Sequence, residues 1–484
     1  MLRYRLGHAV DAVNARWRRM FPHREIDMVN GPVFSNIMRF SIPLILSGML
    51  QLLYNMADVV VVGQFESTDA VAAVGATSSL ITLLVNLFIG LSVGTAVLVA
   101  QYSGANSYRD VQDTVHTSIA LSLGMGVGVG VLGLCLSRML LEMMGTPEGN
   151  VLDDAALYMR IYFLGMPGNM LYNFGSAIMR AVGDTKRPLY YLTLAGIVNI
   201  VLNIITVAFL GMGVAGVAIA TIVSQYISAA LVLLNLVRSH GSVHVDLKAL
   251  RIQKDKVRDI MKIGLPAGLS STIFSISNVL IQSSINSFGA NAMAGSTASS
   301  NLENFVYVAM NAISQAALSF TGQNIGARRF DRLWRIARTS ILVVVAAGLA
   351  LGMLVVVCSE PLLRLFTNAD HDTAVIEDVI HNGQIRIRII CTFYFIDGIM
   401  EVISSLLRGM GSPMAPTLVM VFGICGVRII WIYTIFAVDR LLEVLYVSYP
   451  VSWTLTALIL MAVYYRAYRK LMRAQAPAPA AQNA

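Results

Sequence analysis

Residues 52–65 read "LLYNMADVVVVGQF", in which one carboxylate, Asp58, precedes four consecutive valines. In a water-soluble chain such a run would form a buried strand, because valine fits a pleated, half-buried surface. The surroundings decide otherwise. The apolar stretch extends over about 34–62, longer than the ~20 residues a helix needs to cross the hydrocarbon of a bilayer. The whole chain has this character: 484 residues, 56% hydrophobic, only 13% charged, with a mean hydropathy of +0.68. A soluble domain carries roughly 25% charged residues. Apolar stretches of spanning length recur at about 34–62, 71–100, 114–137, 157–180, 188–210, 213–237, 260–287, 293–322, 338–358, 386–408, 414–437 and 444–465. The expectation is an all-α polytopic membrane protein with twelve transmembrane helices.

The polar segments give the topology. Residues 1–33 are basic, with Arg3, Arg5, Arg16, Arg18, Arg19 and Arg24, and lack the apolar core of a cleavable signal peptide. With this segment placed inside and the spans alternated, most of the 35 Lys and Arg residues fall on the cytoplasmic side. That is the positive-inside pattern, and it predicts a multi-pass protein of the cell (plasma or inner) membrane with both termini cytoplasmic. The net charge of +8 then needs no nucleic-acid partner. A basic cytoplasmic linker, 238–259, separates a first lobe, 34–237, from a second, 260–465; a Pro/Ala-rich tail, 466–484, reads as disordered. Cys135, Cys358, Cys391 and Cys425 lie singly in or beside apolar segments, without metal-ligand spacing, and read as buried apolar residues.

The two lobes resemble each other. "IPLILSGMLQLLYN" (42–55) aligns with "LPAGLSSTIFSISN" (265–278), matching Pro43 with Pro266, Ser47 with Ser270 and Asn55 with Asn278. "AQYSGANSYRD" (100–110) aligns with "GQNIGARRFDR" (322–332), and "RAVGDTKRP" (180–188) with "RGMGSPMAP" (408–416). An even number of spans per half predicts parallel repeats, two pseudo-symmetric six-helix lobes around a central cleft. That architecture suits a transporter working by alternating access better than a channel of fixed pore. An enzyme would need a catalytic set. No His-Glu-x-x-His, nucleophile–base pair or phosphate-binding Gly-rich Lys motif is present. The segment "GVGVLG" (128–133) has dinucleotide-binding spacing but lies mid-span without a preceding strand; Gly124, Gly126, Gly128 and Gly130 read instead as helix-packing positions. No enzyme activity and no cofactor are expected, and the driving energy falls to an ion gradient.

Ionisable groups in hydrocarbon cost about 2.5–3.5 kcal/mol on insertion scales and mark ion or substrate paths. Four acids lie within the expected spans: Asp58, Glu303, Asp397 and Glu401. Asp58 sits toward the outer end of the first span. Asn199 and Asn203, one helical turn apart, occupy the outer half of the fifth, and Thr221 the outer half of the sixth. Four oxygen-bearing side chains at one depth suit a hard cation such as Na⁺, and the same Asp could take a proton. In the second lobe Asp397 and Glu401 share a face of the tenth span, with Glu303 and Arg428 at comparable depth. Arg428 is expected to pair with one of these acids. Three acids against one Arg leave negative charge that would attract a cationic substrate. Ile281 stands opposite Asp58 in the repeat, so the two lobes differ in chemistry.

The segments "LLYNMADVVVVGQF", "AVAAVGATSSLI", "GLSVGTAVLVAQYSGA", "RAVGDTKRPLYYLTLAGIVNIVLN", "GMGVAGVAIATIVSQ" and "LLRGMGSPMAPT" together resemble bacterial members of the MATE (multidrug and toxic compound extrusion) family over about 34–465. The resemblance implies export of small cationic, amphipathic compounds in exchange for Na⁺ or H⁺. The expected partners are that substrate and the surrounding membrane lipid, and the protein is expected to function as a monomer. It implies that Asp58 binds the coupling ion or proton, with Asn199 and Thr221 as partners. Asn203 falls where several relatives carry a second Asp. Asp397 matches the tenth-helix acid of another branch of the family. That branch also uses a seventh-helix Glu, which is absent here, leaving Glu303 or Glu401 to substitute. Lipid-linked sugar flippases belong to sister families, so export of a lipid-linked or other amphipathic metabolite is the alternative.

Overall fold

The computed structural model describes residues 26–65, 68–144, 146, 149–239, 241–366 and 373–475. All its regular elements are helical. In chain order they are α1 (Val33–Phe65), α2 (Thr68–Gly104), α3 (Tyr108–Met143), α4 (Asn150–Leu164), α5 (Met166–Ala181), α6 (Lys186–Asn203) with a π-helical turn at Ile204–Phe209, and α7 (Gly213–Arg238). There follow α8 (Lys254–Asn286), α9 (Ala290–Gly326), a 3₁₀ turn at Phe330–Arg332, α10 (Leu333–Val357), α11 (Ser359–Arg364) and α12 (Thr373–Gly409). The last group is α13 (Met414–Met420), a second π-helical turn at Val421–Gly426, α14 (Val427–Tyr433), α15 (Ile435–Val438) and α16 (Leu442–Gln475).

Among the described residues ten helical stretches are long and apolar enough to cross a membrane. The other two expected spans are helical as well. The fourth breaks at Gly165 into α4 and α5, with a proline in the first turn of α5, and the eighth, α9, carries Asn, Ser, Thr and Glu303 along its length. Polarity is inverted relative to a soluble fold. Val438 is 90% exposed and Val357 77%, whereas Thr95, Ser118, Ser137 and Ser340 are fully buried. In lipid this is the stable arrangement, because apolar side chains meet acyl chains and every helix satisfies its own backbone.

The chain divides into two compact units. One comprises 42–260 with the described residues before Pro32; the other comprises 261 onward together with Pro32–Ser41. The start of α1 therefore belongs with the second unit, where the Phe40 and Phe320 rings meet edge to face at 5.9 Å. The sequence repeats are structural repeats. Ser47 donates to the carbonyl of Pro43 as Ser270 does to that of Pro266, at 2.8 and 2.9 Å. Both are hydroxyl bonds back onto the proline's own carbonyl one turn earlier, a local contact of the kind that bends a helix. Asn106 and Arg328 share a left-handed φ, 53° and 54°. Gly183 and Gly411 close the same turn after α5 and α12 with φ of 95° and 80°. Their N–H groups donate to Arg180 and Arg408 carbonyls at 3.0 and 2.9 Å. Pro188 and Pro416 each lie in the first turn of a helix, where no N–H is needed.

Three differences from the sequence reading have physical causes. First, residues 466–475 continue α16 instead of joining a disordered tail; Ala, Leu, Met, Arg and Lys are good helix formers. Residues 476–484 and 1–25 lie outside the described residues. Second, α8 begins at Lys254 inside the basic linker, and residues on both sides of that start are strapped to the beginning of α3. Lys256 pairs with Asp110 and Arg251 with Asp113, both at 2.8 Å, while His116 Nε2 accepts the Asp246 N–H at 3.0 Å. Third, only Gly126 and Gly130 of the four α3 glycines named above pack closely. A Cβ there would meet the Pro167 backbone at 2.6 Å or the Phe163 carbonyl at 2.9 Å, whereas Gly124 and Gly128 face open space. Gly133, one turn on, receives the Phe163 ring.

Candidate functional site

In the first unit α1, α6 and α7 bring four polar side chains together. Asn203, fully buried, donates through Nδ2 to Asp58 Oδ1 at 2.5 Å and to Asn199 Oδ1 at 3.3 Å. Asn199 Nδ2 reaches Thr221 Oγ1 at 3.5 Å, and Thr221 is also a side-chain hydrogen-bond partner of Asp58. Among the described residues Asn203 Oδ1 is buried without a partner. Small residues make the convergence possible. A Cβ on Gly196 of α6 would fall 1.9 Å from the Tyr54 ring of α1, and one on Gly216 of α7 would fall 2.9 Å from Thr206 Oγ1 in the π turn. That π turn begins directly after Asn203. Such single wide turns concentrate at functional sites because they re-aim side chains within a helix.

Sequence reasoning missed the ring pair of this site. Tyr158 and Tyr162 of α4 stack with centroids 6.3 Å apart, and both lie close enough to feel the Asp58 charge. Their only signal was a spacing of one helical turn. The cluster holds one carboxylate and neutral oxygens. No group of three or more His, Cys, Asp or Glu side chains suited to a metal ion occurs among the described residues. A single carboxylate with amide and hydroxyl oxygens matches the preference of a hard monovalent cation, or a proton shared with neighbouring oxygens, better than a transition metal.

The second unit corrects the expected charge network. Glu303 does not pair with Arg428. It receives a two-pronged bond from Arg386, Nε to Oε1 and Nη2 to Oε2, each 2.8 Å, with both side chains buried. Arg386 Nη1 also donates to Ser296 Oγ at 2.7 Å. The reading placed Arg386 at the edge of an apolar stretch; α12 starts thirteen residues earlier, at Thr373, and carries it inside. Arg428 forms no ion pair among the described residues. It donates to Asn278 Oδ1 at 3.0 Å and Ser452 Oγ at 3.3 Å and lies 4.0 Å from the Tyr449 ring centroid. Asp397 is buried and acts on Arg428 only through space; Glu401 acts likewise on Arg408. Among the described residues the expected surplus of buried negative charge is therefore absent. Arg386, Arg408 and Arg428, all buried, match Glu303, Asp397 and Glu401 in number.

A duplicated helical membrane protein with an acceptor-rich cluster inside one half belongs, by class, to the secondary transporters. The chain is a member of the MatE family, whose profile matches residues 43–205 and 266–434, one block in each half. It is 28% identical over 449 residues to the probable multidrug resistance protein YoeA of Bacillus subtilis, covering 90% of this chain and 95% of that one. It is 23% identical over 349 residues to a protein named FAD transporter from Shewanella oneidensis, covering 70% and 76%. In fold it matches a multidrug resistance MATE family transporter solved in an outward-facing conformation, with a TM-score of 0.86 and 24% identity, covering 93% of this chain and 99% of that one.

Proposed function

We infer that this chain is a secondary active antiporter that exports cationic amphipathic compounds from the cell, driven by entry of Na⁺ or H⁺ at the Asp58 site. The observation that carries the reading is the buried, unpartnered Asn203 Oδ1 beside the Asp58 carboxylate. A buried oxygen without a donor costs about 1–3 kcal/mol. A cation bound at Asp58 offsets that cost, and the cluster has oxygens to spare for it. Asn199, Asn203 and Thr221 would supply the neutral ligands or orient the protonated carboxyl. Coupling requires the ion and the substrate to favour different conformations, since equal affinity for both would shift nothing. Both termini are placed in the cytoplasm, all twelve helical stretches cross the cell membrane, and the protein works as a monomer.

A second reading has its own support. The balance of buried Arg and acidic residues in the second unit gives no net attraction for cations, and one relative is named a FAD transporter. Export of an anionic amphipathic metabolite, or of a lipid-linked one, is the alternative substrate class. The test is transport by reconstituted protein in vesicles under imposed Na⁺ or pH gradients, with ethidium and a flavin nucleotide as cargo. Gradient-driven ethidium movement supports the first reading. Movement of the flavin nucleotide alone supports the second. Ionic current without exchange contradicts both.

A further inference from the structure

The second unit contains a counterpart of the Asp58 cluster with its hydrogen-bond polarity reversed. The Pro43–Pro266 and Ser47–Ser270 match makes α1 and α8 counterparts and sets Asn55 opposite Asn278. The match of 180–188 with 408–416 makes α6 the counterpart of the α13–α14 segment, so that Asn199 falls opposite Val427, one residue before Arg428. A π turn ends α6 and another separates α13 from α14, and α7 and α16 are the last long helices of the two halves. Asp58, Asn199, Asn203 and Thr221 thus come from helices that correspond in the repeat to those of Asn278, Arg428 and Ser452, at neighbouring and not identical positions.

The contents differ in one respect. The first cluster has a surplus of acceptors, and Asn203 Oδ1 is left over. The second has a surplus of donors, and Arg428 Nη2 is left over. Arg428 is only 1% exposed. Its charge makes direct contact with two neutral oxygens, the Tyr449 ring at 4.0 Å and the Phe274 ring at 5.5 Å, while the Asp397 carboxylate acts on it through space without an ion pair. Oxygen ligands and aromatic faces are what a free cation would be given.

We propose that Arg428 is a tethered cation, permanently filling in the second lobe the kind of site that the first lobe loads and unloads from solution. This rests on the reading of the Asp58 cluster as the coupling-ion site. Only one of two related sites then exchanges its ion, and the second lobe is held in the loaded state throughout the cycle. The side chain's role is to be a cation there, which separates it from an ordinary packing residue.

The test is chemical rescue in the full-length purified protein. Thermal unfolding midpoints are measured for wild type, Arg428→Ala, Arg428→Met and Asp58→Asn against low-millimolar guanidinium or methylguanidinium, with NaCl at matched ionic strength. Arg428→Ala is expected to lose stability and to regain part of it saturably with guanidinium. Wild type and Asp58→Asn should not respond to guanidinium. Equal responses of wild type and Arg428→Ala, or wild-type stability in the apolar, similarly sized Arg428→Met, would overturn the proposal. If Arg428→Ala cannot be purified, Arg428→Lys and Arg428→Gln decide: retention by Lys and loss by Gln support a cation, and equal behaviour refutes it. Dye efflux by Asp58→Asn, read separately, tests the coupling-ion reading. Full coupled efflux there removes that reading without bearing on the rescue signal, so the two failures are distinguishable.

Discussion

Asn203 holds Asp58 from the neighbouring helix: its Nδ2 donates to Oδ1 of the carboxylate at 2.5 Å while its own carbonyl oxygen stays unpaired. One side chain thus both steadies the acid and presents a second oxygen. Asn203→Ala removes both functions. A hydrogen bond to a charged group is worth about 1.5–3 kcal/mol. The half-saturating concentration of the coupling ion for export should therefore rise at least about tenfold. Export at saturating ion should be largely kept. An unchanged ion dependence would separate Asn203 from the site.

The packing of α1 on α6 depends on Gly196, where an added Cβ would lie 1.9 Å from the Tyr54 ring. Gly196→Ala should displace that ring and misalign Asp58 with Asn199 and Asn203. Overpacking of this size costs about 1–3 kcal/mol. The measurable outcome is a lowered unfolding midpoint with weakened ion dependence, both recovered in Gly196→Ala/Tyr54→Ala. Failure of the double variant to recover would show that the clash is not the cause.

Glu303 and Arg386 form a buried pair with a third bond to Ser296. Removing one partner strands a buried charge, a loss of about 3–5 kcal/mol, whereas replacing both by apolar residues is often neutral. Glu303→Ala should be markedly destabilised in thermal unfolding. Glu303→Met/Arg386→Met should recover most of that loss. If the double variant is no better than the single one, the pair is not the reason for the loss.

Much of this was legible in the sequence, and the limits were specific. The helical stretches and the repeat could be read because hydropathy and the matched blocks are local signals. Pro43 and Pro266 mark corresponding turns whatever the tertiary fold. Asp58, Asn199, Asn203 and Thr221 could be singled out because each is a polar residue isolated in an apolar run, at a depth that counting residues supplies. Arg386 could not. Its charge ended the apolar run from which the span was delimited, and only its bond to Glu303 explains why a helix can bury it. Arg428 was noticed but its partners were misjudged, because a search for opposite charges passes over Asn278, Ser452 and the face of Tyr449. The aromatic pair Tyr158–Tyr162 looked like any other ring in a span until α4 was seen beside Asp58.

The strap from the linker to α3 gives a further outcome. Lys256–Asp110 and Arg251–Asp113 tie the linker to the start of α3. The Arg251 side chain is 63% exposed, so that pair should be weak, on the order of 0–1 kcal/mol, and screened by salt. Arg251→Ala should leave stability nearly unchanged. Lys256, whose side chain is 10% exposed and lies over the Tyr102 ring, should matter more. Comparing the unfolding midpoints of Arg251→Ala and Lys256→Ala at low and high salt checks the order. Equal effects would contradict it.

The account turns on reversible loading of one carboxylate. The most direct measurement is dye export from vesicles containing wild type or Asp58→Asn, under Na⁺ and pH gradients imposed one at a time. The account predicts gradient-driven export by wild type and none by a folded, membrane-inserted Asp58→Asn. Wild-type export by Asp58→Asn under the same gradients would contradict it.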